Sequence, residues 1–144
     1  MSVQRTLAIV KPDAVAAGHI GNVIGTIEQN GFTIIAMKML HLTTQQAEGF
    51  YGVHRGKPFF SNLVAFMTEG PVVVMLLERE NAIEQWRTVM GATDPAKADE
   101  GTIRRRLGTG IERNVVHGSD AEDTACFETG YFFNAMEAVA YGSD

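Results

Sequence analysis

Apolar runs that alternate with helical patterns predict an α+β fold: a ferredoxin-like, split βαβ antiparallel sheet with helices on its faces, an inserted helical hairpin and a long loop before His117. The first observation behind this is element order, which reads strand, helix, strand, helical hairpin, strand, helix, long loop, strand, helix. The second is Val72 to Leu77, an unbroken apolar run of the kind a central strand buried on both faces requires. The third is a set of capping spacings, Thr43 with Gln46, Asn81 with Glu84 and Ser119 with Glu122, which mark helix starts between the runs. At 144 residues the chain is expected to form a single domain spanning 1–144, long enough to bury a substantial core.

Each element has its own signal. Thr6 to Val10 reads as a buried strand, ended by Lys11-Pro12-Asp13 because proline cannot donate to a ladder and restricts the residue before it. Ile20, Val23, Ile24 and Ile27 follow helical spacing, and Asn30-Gly31 stops the helix. Phe32 to Leu40 is the second strand. Thr43 opens a short helix through Tyr51, and Pro58 suits the first turn of a helix running to about Thr68, closed by Gly70-Pro71. This hairpin carries Tyr51, His54, Lys57, Phe59 and Phe60 near its bend. After the central strand, Ile83, Trp86, Val89 and Met90 stripe a helix that ends at Gly91, with Arg87 in its last turn. From Ala92 to Asn114 only Ile103 to Leu107 suggests a helix; Arg104-Arg105-Arg106 reads there as an exposed charged run, and so long a connection is usually functional. A last helix is expected to about Phe127, followed by Tyr131, Phe132 and Phe133.

Composition narrows the function classes. A net charge of −5 gives no basis for a general nucleic-acid surface, so a polyanionic ligand would need locally concentrated cations. The single cysteine, Cys126, cannot form an intrachain disulfide and is expected to be a small buried helix residue. Met1 to Val10 is too short in apolar content for a signal core, and no run could span a bilayer as a helix, so a cytoplasmic protein without membrane contact is expected. No Gly-x-x-x-x-Gly-Lys-Ser/Thr loop is present, and Gly108-Thr109-Gly110 reaches Arg113 where a dinucleotide fingerprint needs glycine. His19, His41, His54 and His117 lack metal-ligand spacing, and no protein metal site is expected.

The chemistry concentrates in Asn114-Val115-Val116-His117-Gly118-Ser119-Asp120. An apolar strand end turns at Gly118, the residue best able to take a left-handed backbone or to let a ligand approach the main chain, and Ser119 is expected to cap the following helix. That would place His117 beside a helix N-terminus, where backbone N–H groups favour an anion. Imidazole has an ordinary pKa of about 6.5, so near neutral pH it offers a nucleophilic nitrogen.

This heptapeptide, and nearly the whole chain around it, resembles the nucleoside diphosphate kinases. The resemblance implies transfer of a γ-phosphoryl group, chiefly from ATP, to nucleoside diphosphates, by a ping-pong route through phosphohistidine at His117 and with broad base tolerance. It implies that Glu128, at the far end of the last helix, orients the histidine, and that Ser119 lies near the phosphoryl site. Lys11 matches the lysine that reaches the ribose and the transferring phosphate, and Tyr51 the tyrosine beside the histidine. Arg87 and Arg104 match phosphate-binding arginines, with His54 and Thr93 as neutral hydrogen-bonding contributors. Asn114 matches the amide that holds the ribose hydroxyl, Phe59 the aromatic that stacks on the base, and Ile111 closes the base's other face. Asp120 is expected to help hold Lys11 or the corner. Mg²⁺ is implied as an ion bound with the nucleotide, and a homo-oligomer, at least a dimer, as the assembly.

The chain departs from the family pattern at Arg105-Arg106-Leu107-Gly108-Thr109-Gly110, which puts loop rigidity and subunit contacts in question. Two other functions compete. A phosphohistidine carrier would keep His117 but have no use for Phe59 or Asn114, and a nucleotide sensor would have no use for His117 beside Ser119 and Glu128.

Overall fold

The computed structural model describes residues 3–141; Met1 and Ser2 of the N-terminal segment lie outside the described residues. The strands are β1 (Val3–Val10), β2 (Thr33–Leu40), β3 (Val72–Glu80) and β4 (Val116–Gly118), in the spatial order β2-β3-β1-β4. Every neighbouring pair is antiparallel. β1 and β2 therefore run parallel with β3 between them, which is the expected split βαβ sheet.

The helices are α1 (Pro12–Ala16), α2 (Ile20–Gln29), α3 (Thr44–Phe50), α4 (Phe60–Met67), α5 (Ala82–Met90), α6 (Ile103–Leu107) and α7 (Glu122–Phe132). Side chains alternate across the sheet with period two, so it carries two cores. On one face Leu7, Ile9, Val74 and Leu76 pack with Phe50, Tyr51, Phe66 and Phe132 of the hairpin and α7. On the other, Ala8, Val10, Val73 and Met75 pack with Ile27, Trp86, Met90 and Ile103. β3 is buried from Val72 through Leu77 because helices cover both faces, as its unbroken apolar run requires.

Local signals and tertiary context agree at some elements and conflict at others. Thr43 and Gln46 form a reciprocal box, each side chain satisfying the other's backbone N–H at 3.1 and 2.9 Å. Asn81 and Glu84 do not. Asn81 sits at φ 53°, in the left-handed region, and its amide donates to the Glu84 carboxylate at 3.3 Å instead of accepting from the helix. Pro58 lies ahead of α4 rather than in its first turn, whereas Pro12, expected only as a strand stop, opens α1. α7 continues past Phe127 to Phe132, which puts Glu128 in the helix interior. Cys126, expected to be buried, is exposed, because α7 turns Ala125 and Phe132 inward and leaves Cys126 on the outer side. No helix among the described residues is long and apolar enough to cross a membrane.

The long connection is pinned by its arginines. Arg105 donates to the Ala96 carbonyl at 3.0 Å, and Arg106 reaches Asn22 and Thr26 on α2 at 3.1 and 3.2 Å. Arg104 points inward. The charged run is therefore not a uniformly exposed face, and the unusual loop is tied to its surroundings at successive residues.

Candidate active site

His117 is the middle residue of β4, paired with Ile9, and so shares the face of β1 that carries Leu7 and Ile9. Its ring meets Phe50 edge-on at 5.5 Å between centroids and stands perpendicular to Tyr51 at 6.5 Å. Val116 and Gly118 take the opposite face. There a Cβ at Gly118 would come within 2.5 Å of Trp86 Cδ1 and 2.6 Å of Met90 Cε. Close approach to Trp86, not a left-handed backbone, is what requires glycine at 118. The Trp86 indole N–H then donates to the His117 carbonyl at 3.1 Å, holding the nucleophile's backbone from beneath.

The left-handed residue is Val115, two before the histidine, at φ 79°. A β-branched side chain in that region costs on the order of 1–3 kcal/mol, so the surroundings must hold it there. They do so from both sides: the Val115 carbonyl accepts the Lys11 N–H at 2.8 Å, and its N–H donates to the Asp13 carboxylate at 3.1 Å. Lys11-Pro12-Asp13 thus shapes the histidine corner as well as ending β1.

Behind the ring, Glu128 Oε1 lies 2.9 Å from His117 Nε2 and 2.8 Å from Ser119 Oγ. A carboxylate can only accept, so Nε2 carries the ring proton and Nδ1 keeps its lone pair. Nδ1 makes no hydrogen bond among the described residues. Ser119 is fully buried and does not cap α7; the Asp120 and Ala121 N–H groups go instead to Thr124 Oγ1 at 3.1 and 2.9 Å. Thr124 thus holds the two residues that lead into the helix, and His117 addresses the second turn through Glu128. Positive charge at the site comes from side chains.

Those cations converge. Lys11, buried at 8% exposure, donates to Asn114 Oδ1 at 2.7 Å, and Asn114 in turn donates to the Thr93 carbonyl at 3.0 Å. Burial, with the nearby Arg104 charge second, pushes the Lys11 ammonium down to about 8. Arg104, equally buried, donates to the carbonyls of Asn114, Gly91 and Val116 at 3.3, 2.9 and 2.8 Å. Burial and then Arg87 push it down to about 10, so it remains charged at neutral pH. Arg87 is more exposed and reaches Asp120 at 3.4 Å, a long surface pair worth about 0–1 kcal/mol and easily exchanged. Asp120 therefore holds Arg87, not Lys11.

These groups line one cleft of about 530 Å³. Lys11, Arg87, Thr93, Arg104 and Asn114 line it together with His117. Phe59 and Ile111 line the same cleft and are exposed at 46% and 64%. His54 joins Tyr51 to Phe59, stacked on the first at 6.4 Å and edge-on to the second at 5.2 Å. Burial, and then the charge of Glu128, raise the Tyr51 hydroxyl well above its ordinary range, so it stays protonated. Every site residue expected from the sequence lines this cleft except Ser119 and Glu128, which lie behind the histidine ring. The cleft also holds Leu63, Met90 and Glu112, which sequence reasoning did not select. A larger groove of about 660 Å³ continues past Arg87 and Arg104 toward Lys97, but it lacks His117, so the chemistry belongs to the smaller cleft.

A split βαβ sheet presenting a carboxylate-backed histidine to a cleft lined by buried cations and an exposed aromatic defines an enzyme built to handle an anionic, partly aromatic substrate. Comparison with known proteins identifies which. Residues 4–138 match the model of the family described as nucleoside diphosphate kinase. The chain is 63% identical over 137 residues to the nucleoside diphosphate kinase of Desulfosudis oleivorans, covering 95% of this chain and 99% of that protein. It is 57% identical over 134 residues to that of Oleidesulfovibrio alaskensis, covering 93% and 96%. Among solved structures, the Aquifex aeolicus nucleoside diphosphate kinase superposes with a TM-score of 0.94 at 42% identity, covering 96% of this chain and 100% of that one. The Halobacterium salinarum enzyme, solved in complex with CDP, gives 0.94 at 39% identity, covering 99% and 95%. The chain belongs to the nucleoside diphosphate kinase family, and it is a phosphotransferase that acts on nucleotides.

Proposed function

We propose that the protein moves the γ-phosphoryl group of a nucleoside triphosphate, chiefly ATP, onto nucleoside diphosphates by a ping-pong mechanism through phosphohistidine at His117, with broad base tolerance. The observation that carries this is the orientation of the ring, with Nε2 held on Glu128 and Nδ1 unpartnered in a residue that lines the cleft.

In the first half-reaction Nδ1 attacks the γ-phosphorus. The N–P bond forms as the bond from phosphorus to the bridging oxygen breaks, and the diphosphate leaves with the electron pair. Glu128 offsets the charge that develops on the ring, and Ser119 keeps that carboxylate aimed. In the second half-reaction a terminal oxygen of the acceptor diphosphate attacks the phosphohistidine and the ring returns to its starting state. Lys11, Arg87 and Arg104 stabilise the charge on the transferring group, acting by position and electrostatics. Arg104 has five N–H donors, so three carbonyl bonds fix its plane and leave donors for phosphate. His54 and Thr93 supply neutral hydrogen bonds, Asn114 and Lys11 hold the ribose, and Tyr51 packs the ring in place.

Phe59 stacks on the base with Ile111 on its other face. Stacking contributes about 1–3 kcal/mol to any base, which supports broad tolerance. Mg²⁺ would arrive on the nucleotide's phosphates, whose charge it neutralises. The cleft's carboxylates are Glu112 and Asp120, and Asp120 already faces Arg87, a donor set that fits a nucleotide-borne ion rather than a protein cage. We further propose that the chain acts as a single domain in a homo-oligomer, at least a dimer, in the cytoplasm. Its substrates would be free nucleotides, without nucleic-acid or membrane partners; the CDP bound by the Halobacterium salinarum relative and the net charge of −5 support that reading.

The test is His117→Ala assayed for ATP-to-GDP transfer and for nucleotide binding. Transfer should vanish while binding persists. Wild-type turnover in this variant would overturn the covalent mechanism.

A further inference from the structure

We propose that Glu112 is a base-selecting residue that favours guanine among otherwise equivalent acceptors. This rests on the reading of Phe59 and Ile111 as the two walls of the base slot. Glu112 lines the cleft directly after Ile111, and among the described residues it makes no hydrogen bond or ion pair, unlike Asp120, the cleft's other carboxylate.

The segment that carries it is well anchored. The N–H groups of Thr109 and Gly110 both donate to the Arg113 carbonyl, at 3.0 and 3.3 Å, closing a tight loop whose tip is Ile111 and Glu112. Arg113 then forks onto Glu69 with two bonds of 2.9 Å and lies 4.8 Å over the Phe66 ring. Phe66 belongs to α4, the helix that Phe59 precedes, so the loop tip and the stacking aromatic are referenced to one element. The backbone that carries Glu112 is thereby held relative to Phe59, within side-chain reach of a base stacked there.

The chemistry selects one base. A carboxylate has two acceptor oxygens and no proton to give. Guanine offers N1–H and the 2-amino group side by side, a matching pair of donors. Adenine offers one amino group beside an acceptor nitrogen, which a carboxylate repels. Hypoxanthine keeps N1–H but lacks the amino group, so it should fall between them.

The experiment measures binding of GDP, IDP and ADP by calorimetry, and kcat/KM for each as acceptor, in the wild type and in Glu112→Gln and Glu112→Ala. Wild type should rank GDP above IDP above ADP, and Glu112→Ala should weaken GDP about tenfold to a hundredfold while leaving ADP nearly unchanged, the range expected for hydrogen bonds to a charged group. Glu112→Gln should lose most of the same preference, since its amide can accept through one atom only. An equal change for all three nucleotides would overturn the proposal and assign Glu112 a general electrostatic effect on Lys11, whose pKa its negative charge raises slightly. No change in the GDP-to-ADP ratio would also overturn it. Selective GDP binding without any phosphoryl transfer would uphold Glu112's role and overturn only the kinase reading.

Discussion

Glu128 approaches His117 with the same carboxylate oxygen that accepts from Ser119, at 2.9 and 2.8 Å, so ring, carboxylate and hydroxyl form one chain behind the cleft. The Leu7 N–H extends it to β1 by donating to Ser119 Oγ at 3.4 Å. Glu128→Ala should therefore lower phosphoryl transfer about a hundredfold while leaving diphosphate affinity close to wild type, because it removes the group that sets the tautomer and touches no substrate. Ser119→Ala should cost less, about tenfold, since Glu128 keeps its bond to the ring. Single-turnover rates with calorimetric affinities check both, and a Glu128→Ala enzyme at full speed would mean that the ring is oriented by packing alone.

Two residues on the opposite face hold the nucleophile's backbone. Gly118→Ala drives a methyl into Trp86 and Met90, an overpacking that should destabilise the fold by about 1–3 kcal/mol. It should also displace the His117 carbonyl from the Trp86 indole, and so reduce activity at temperatures where the protein remains folded. Denaturant midpoints paired with kcat at low temperature separate the two effects. An unchanged midpoint would show that the strand relaxes without loss.

The lowered Lys11 pKa has a definite pH consequence. In the free enzyme the ammonium loses its proton as pH rises through about 8, whereas an ordinary lysine would hold it until about 10.4. Affinity for the diphosphate and kcat/KM should therefore fall above pH 8. Stability moves the other way: the unfolded chain binds the proton more tightly, so Lys11's contribution to folding rises from pH 8 to the ordinary lysine value. A kcat/KM profile flat to pH 10 would place Lys11 outside substrate binding.

Phe59→Ala should raise the Kd of ADP, GDP, CDP and UDP together, by about tenfold, because every base has a face to stack. A loss confined to one base would contradict the stacking role, and equal losses would leave the Glu112 preference visible as an unchanged ratio.

Much of this was legible in the sequence, and the exceptions share a cause. The sheet order follows from element order and the doubly buried β3, and the cleft residues follow from one motif and the resemblance it carries. Capping was less secure. The Thr43/Gln46 spacing forms its box in open solvent with nothing to compete, while Ser119 in the same spelling turns inward to Glu128, and Asn81 enters a left-handed turn. A capping pattern reports only what a side chain can do locally, and a tertiary partner decides. Gly118 shows the same limit: glycine is expected there for backbone freedom or a ligand's approach, yet it is the indole of Trp86, 32 residues earlier in sequence, that leaves no room for a Cβ. Val115's strained backbone had no sequence signal, since valine is among the residues least suited to it.

The covalent step is tested most directly by intact-protein mass after brief mixing with Mg·ATP, followed by GDP addition and GTP assay in the same tube. One added phosphoryl group, lost in acid, absent in His117→Ala and discharged to GTP, is the predicted result. Transfer of phosphate from ATP to GDP with no phosphorylated protein at any time would contradict the account, because it would require direct transfer between two nucleotides bound together.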